Sequence, residues 1–283
     1  MTNIDQFESV FKSADKTPFA HESIKITRGL IVTDLPSGQV SDFVSACRSF
    51  TASLGDIQWQ VAADEDLPTV PAMLEMIERQ APEVIVIYRN LFVSASEHPY
   101  SLGAYVDVVT QATDIPVLLL PHPETIRAKP ELLGSIDTVM AVTDHLAGDH
   151  HLVSYGCLLT PKTGNLVLAH IEDDSIFQRY MDIIGKIPNL DTDVARHDIL
   201  AQLLKEPTDY IQSCREVFAE EGKLMTVESV VRLGCRMKDY KKLLFEHKVD
   251  LMILNTKDNE QLAMHGVAYP LAVELRETPL LLL

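Results

Sequence analysis

Residues 28–34, RGLIVTD, and residues 138–144, TVMAVTD, are short apolar runs that each finish on Thr-Asp. The segments C-terminal to each run repeat in the same order. Residues 83–90 (EVIVIYRN) and 250–257 (DLMILNTK) are continuous apolar runs, preceded by the helix-period stretches PAMLEMIERQA and MKDYKKLLFEHK. Residues 114–121 (DIPVLLLP) and 278–283 (TPLLLL) close the two halves. Apolar runs of this length, without alternation and separated by helical stretches, specify parallel strands buried on both faces by helices. One more register agrees: Gly103 precedes Pro116 by 13 residues, and Gly266 precedes Pro279 by 13. The pattern predicts two copies of one open, parallel-sheet α/β domain.

The copies are unequal, because Asp144 to Pro279 spans 135 residues and Asp34 to Pro116 only 82. The second copy shows a full series: strand 138–143, a helix from about 149, strand 165–171, a long helical region, strand 224–233, helix 237–248, strand 250–255, helix 266–276 and strand 279–283. Within the long region, Asp191/Thr192 and Thr208 after Pro207 mark helix starts, and Gly222 marks a stop. The first copy lacks one strand–helix pair between helix 38–53 and helix 68–80, with only residues 57–63 left as a strand there. The expected layout is a polar extension (1–22) with one amphipathic turn from Ile4 to Phe11, a shortened domain (23–121), a linker (122–136) and a full domain (137–283).

Composition narrows the function. Twenty-four Lys+Arg against 41 Asp+Glu leave a formal charge of −17, which repels phosphate backbones and anionic lipid, so neither nucleic acid nor a membrane is the expected partner. The start MTNIDQFESVF has neither the basic nor the apolar segment of a signal peptide. Cys47, Cys157, Cys214 and Cys235 show no CxxC spacing and read as reduced thiols of a cytoplasmic protein. No two of the 12 glycines lie closer than eight positions apart. That removes the dinucleotide fingerprint, the P-loop and the G-x-S-x-G nucleophile elbow, all of which need closer glycines. No cysteine has a basic setting that marks a nucleophile, so the sequence makes no case for an enzyme.

On these residues the chain resembles the universal stress protein family in its tandem form. The match is clearest over LMTVESVVRLG, MKDYKKLLFEHKVDLMILNT and GVAYPLAVELRETPLLLL. Asp144 stands where the family has an aspartate after its first strand, and His170 where a histidine often ends its second. The resemblance implies two tandem HUP-like domains and a regulatory role. ATP-binding members carry Gly-x2-Gly-x9-Gly-Ser/Thr after the fourth strand, where backbone N–H groups and a helix N-terminus hold the phosphates. Here Asn255 and Asp258 stand at the first two glycines, Gly266 follows after seven residues rather than nine, and Val267 replaces the hydroxyl. In the first copy no glycine appears until Gly103, and Ala104 follows it. An aspartate in a phosphate nest sets negative charge against negative charge. No cofactor is therefore expected, although ATP or AMP is what the resemblance would supply.

Asp34 and Asp144, at the carboxyl ends of first strands, lie where open α/β sheets bind ligands; the plainer account of each is a cap or turn residue. With His170, Gly266 and Gly103 they form the candidate ligand set. Residues 144–151, DHLAGDHH, concentrate His145, His150 and His151. A transition-metal site there competes with a solvated polar loop, which is favoured because adjacent histidines do not share a face. The terminal run Leu280–Leu283 and the equivalent Ile115–Leu120 are too apolar to stand at open sheet edges. Their mutual burial, which the resemblance implies for the last strands, would make an intramolecular pseudo-dimer of the two halves, with a homodimer left open; the alternative is two core strands covered separately. The function expected is a non-catalytic stress-type module working through an unidentified protein partner. Two alternatives are a small-ligand module with a modified loop and a metal-binding protein through the histidine loop.

Overall fold

The computed structural model describes residues 18–63, 67, 69–94, 98, 100–143, 146–188, 191–256 and 267–283. Asp144, His145, Asp258, Gly266 and the Ile4–Phe11 turn lie outside the described residues.

The first half supplies strands β1 (Arg28–Val32), β2 (Gln58–Ala62), β3 (Val84–Tyr88) and β4 (Val117–Leu120). The second supplies β5 (Thr138–Val142), β6 (Asn165–Asp173), β7 (Thr226–Gly234), β8 (Leu251–Leu254) and β9 (Leu280–Leu282). The helices are α1 (Ser37–Phe50), α2 (Val70–Gln80), α3 (Ala104–Ala112), α4 (Pro123–Ala128), α5 (His150–Leu159), α6 (Asp174–Ile184), α7 (Thr192–Glu220), α8 (Arg236–Glu246) and α9 (Ala268–Glu274). The chain is α/β, and among the described residues its first half has one strand fewer than its second.

Two separate sheets were the expectation; the strands instead form one sheet in the order β2-β1-β3-β4-β9-β8-β5-β6-β7. Every pair is parallel except β4 with β9, which run antiparallel with Leu118 opposite Leu281. The physical reason is the one that made those runs conspicuous. Both are wholly apolar, and each supplies the ladder partner and dry cover that the other lacks. Leu118 and Leu281 are 4% and 3% exposed. β1 and β5 lie inside the sheet, each flanked on both sides, as their continuous apolar runs require.

Aspartates open three helices of the second half, α5, α6 and α7. Asp149 accepts the Leu152 N–H (3.1 Å), Asp173 those of Ser175 and Ile176, and Asp191 those of Asp193 and Val194. The expected start at Thr208 is absent, because α7 runs unbroken through Pro207. Thr208 does not cap forward; its hydroxyl donates back to the Leu204 carbonyl at 2.6 Å. Gly222, at φ +71°, follows the helix as its stop. The linker also holds more structure than expected, with His122 capping the short α4.

The described end of the polar extension is packed. Phe19 is buried against Tyr210, Phe218 and His150, and its N–H donates to Ser213 Oγ at 2.8 Å. Residues 18–27 thus cross from the second half into β1 of the first. Among the described residues, no helix is long and apolar enough to cross a membrane.

Candidate functional site

Strand order reverses at two places, between β1 and β3 and between β5 and β8. The crevices outside the carboxyl ends of these pairs are where such sheets take ligands. Asp34 lies at the first, two residues after β1.

Its carboxylate is already engaged. Tyr88, fully buried at the end of β3, donates its hydroxyl to Asp34 Oδ1, and the Phe92 N–H donates to Oδ2 at 2.7 Å. The Asp34 N–H returns a bond to the Tyr88 oxygen at 2.8 Å, with Thr33 Oγ1 3.1 Å away. Burial, then the bond to Asp34, pushes the Tyr88 phenol well above its usual range, so it stays a neutral donor.

The chain reaches this arrangement through left-handed residues, Asn90 and Phe92, both at φ +59°. Asn90 is fastened by its N–H to Leu102 O (2.8 Å) and its side-chain amide to His98 O and Ser101 O. Gly103 caps α3 at φ +94°, and a Cβ there would lie 3.1 Å from Asn90 Cα. Glycine is needed at 103 for this close approach.

Arg89 points across the molecule. It is 3% exposed, and its guanidinium donates to the Ala272 and Leu275 carbonyls at the end of α9, the latter at 2.7 Å. A cation suits those unpaired carbonyls and the negative helix end. Burial, then Arg276, lowers its pKa to about 10, so it remains charged at neutral pH. Tyr88, Arg89 and Phe92 were not singled out by the sequence reading. The signal available was an arginine closing an otherwise apolar strand run.

At the second crevice Asn255 follows β8, and its side-chain amide donates to Asp149 Oδ2 at 3.0 Å. The other oxygen of Asp149 caps α5. Thr256 turns both its N–H and its hydroxyl onto the Leu283 carbonyl, at 2.9 and 2.5 Å. His170 is buried on β6, one residue past the Val142–Ala169 pair, with Nε2 3.3 Å from Glu172 Oε2.

The histidine loop is divided between partners. His150 Nδ1 lies 3.0 Å from the Tyr210 hydroxyl, whereas His151 Nδ1 lies 2.7 Å from Glu22 Oε2. Among the described residues, no three His, Cys, Asp or Glu side chains are grouped to hold a metal ion. Cys47, Cys157 and Cys214 are buried, and burial raises all three thiols, Cys47 and Cys214 to about 12. Such thiols are poor nucleophiles at neutral pH. Cys235 is exposed, at the start of α8.

No family model matches the chain, and no curated protein matches it. Among solved structures it is similar to the functionally unknown protein PA1789 of Pseudomonas aeruginosa PAO1, at 13% identity and a TM-score of 0.47, over 91% of this chain and 92% of that one. It is similar to a putative universal stress protein of P. aeruginosa UCBPP-PA14, at 12% and 0.47, over 91% and 93%. A universal stress protein of Archaeoglobus fulgidus DSM 4304 matches at 14% and 0.44, over 91% and 85%.

Proposed function

We propose that this chain is a non-catalytic, universal-stress-type regulatory module that has lost most of its nucleotide loop and acts by contacting another protein. The observation that carries the reading is the state of Asp34. The carboxylate best placed to meet a ligand at the β1/β3 crevice is held by Tyr88 and by the Phe92 N–H of its own loop. A ligand would have to replace both, and hydrogen bonds to a charged group contribute about 1.5–3 kcal/mol each. The second crevice offers Asn255 bound to a helix cap, and its loop sequence carries Asp258 and Val267 where phosphate binding calls for glycine and a hydroxyl. Ile176, Tyr180, Ile183 and Ile187 stand exposed in line along and just beyond α6, a surface more usual in chains that meet other proteins.

Titration calorimetry of the full chain with ATP tests the reading, and no saturable heat is the expected result. A dissociation constant below about 10 μM, which needs roughly −7 kcal/mol from the site, would overturn it.

A further inference from the structure

β7 ends the sheet. Its nine residues pair with β6 on one side, and among the described residues no strand pairs with the other. The Thr226 N–H donates to Gly164 O across the β6 side at 3.0 Å. Every second residue from Thr226 therefore turns its backbone groups toward β6, and Val227, Ser229, Val231 and Leu233 turn theirs outward. Arg215 of α7 reaches one of these, the Val227 carbonyl, at 3.0 Å. Natural edges are commonly blunted by shortness, proline or a charge that repels a second copy. β7 has no proline, and its two charges sit symmetrically about its centre. Glu228 lies two residues before Val230, and Arg232 two residues after it.

We propose that β7 is a self-association edge, pairing antiparallel with β7 of a second copy about a twofold axis at Val230. In that register Glu228 faces Arg232 of the second copy, twice over, and Val227 faces its Leu233. The hydrogen-bond phase agrees: Ser229 faces Val231 of the second copy, and both turn their N–H and C=O groups outward. Val230 then falls at a non-hydrogen-bonded position, as do the two charge pairs, where side chains approach most closely. A slip by two residues would keep the phase and lose both charge pairs. Glu228 and Arg232 share the α8 face, where Glu228 accepts the Asn165 side-chain amide at 2.7 Å and meets His247 at 2.9 Å, and Arg232 meets Asp239 at 2.7 Å. Both side chains keep substantial exposure, 42% and 38%, and Arg232 has further N–H donors for a second carboxylate. Leu224, 75% exposed just before β7, adds apolar cover toward the far end of the partner strand. The surface and its occupant are separate from the Asp34 crevice, so this proposal and the functional reading fail independently.

Sedimentation equilibrium of the full chain tests the pairing, with a concentration-dependent dimer expected. Val231→Pro keeps the bonds to β6, because that N–H points outward, and should weaken association roughly tenfold or more without changing the far-ultraviolet spectrum. In a Cys235→Ser background, Val230→Cys should cross-link two copies on mild oxidation, since Cα atoms about 4.5 Å apart at such a position suit a disulfide. Val227→Cys should not. A chain that stays monomeric at every concentration overturns the proposal. So does a dimer that survives Val231→Pro, or one cross-linked by Val227→Cys and not by Val230→Cys, because each places the contact on another surface.

Discussion

Glu83 stands one residue before β3 and holds the start of β1. Its Oε2 accepts the Thr27 N–H (2.6 Å), the Thr27 hydroxyl (3.0 Å) and the Arg28 N–H (3.2 Å), and Oε1 takes the Arg28 guanidinium at 3.1 Å. These bonds, the Thr27 N–H foremost, hold the carboxyl below its ordinary value of 4.5. A depressed folded pKa contributes stability that is complete above the unfolded value and is lost as pH falls through the folded one. Glu83→Gln should therefore lower the urea midpoint at neutral pH, and its gap from the parent chain should close below about pH 4. A gap that stays constant on acidification would show that the ionised form contributes nothing. The same scale limits what the sequence could reveal. That Asp34 follows a strand at the carboxyl edge of the sheet was legible, because the apolar run and the Thr-Asp ending sufficed. That Tyr88 and Phe92 close upon it was not, because this depends on positive φ at Asn90 and Phe92, which only a minority of non-glycine residues adopt.

Elements were legible where the apolar pattern was long. The β5–β9 series and its helices fall within a few residues of the expected bounds, since buried parallel strands and aspartate caps leave strong signals. The failure at Pro207 has a definite cause. Proline removes one backbone donor and crowds the preceding turn, which ordinarily ends a helix, yet here Pro207, Tyr210, Ile211, Cys214 and Phe218 are all buried along one continuous α7. Packing of that face overrides a local penalty of about 3 kcal/mol. Pro207→Ala should return an N–H to the helix and raise the unfolding free energy by about 1–2 kcal/mol, the gain being reduced by the small volume lost from a buried site. Chemical denaturation reads it directly. A variant less stable than the parent would mean that the ring's packing matters more than the missing hydrogen bond.

At the scale of the whole molecule, the strand series of each half was legible and their union in one sheet was only half so. The leucine run announced that the two halves cover one another, but the additional ties are single residues with no pattern to betray them. Arg89 of the first half caps α9 of the second, and Phe19 lies against α7 before the chain enters β1. Among the described residues, the ladder between β4 and β9 is the one sheet contact between the halves, with Leu118 opposite Leu281. Each fully buried leucine contributes roughly 1.5–3 kcal/mol, so this seam holds an appreciable part of a typical domain's stability. Leu281→Asp puts a carboxylate into a dry interface and should produce aggregation or a new oligomer, seen as concentration-dependent sedimentation, together with a lowered melting temperature. A second pair of variants keeps the test clear of simple misfolding. Leu118→Ala and Leu281→Ala should each cost about 2–5 kcal/mol, and the double variant should cost less than their sum, by about 0.5–3 kcal/mol, because the second truncation removes a contact already lost. Strict additivity, or a monomeric and normally melting Leu281→Asp protein, would mean that the two leucines do not meet and that the halves are joined by some other surface.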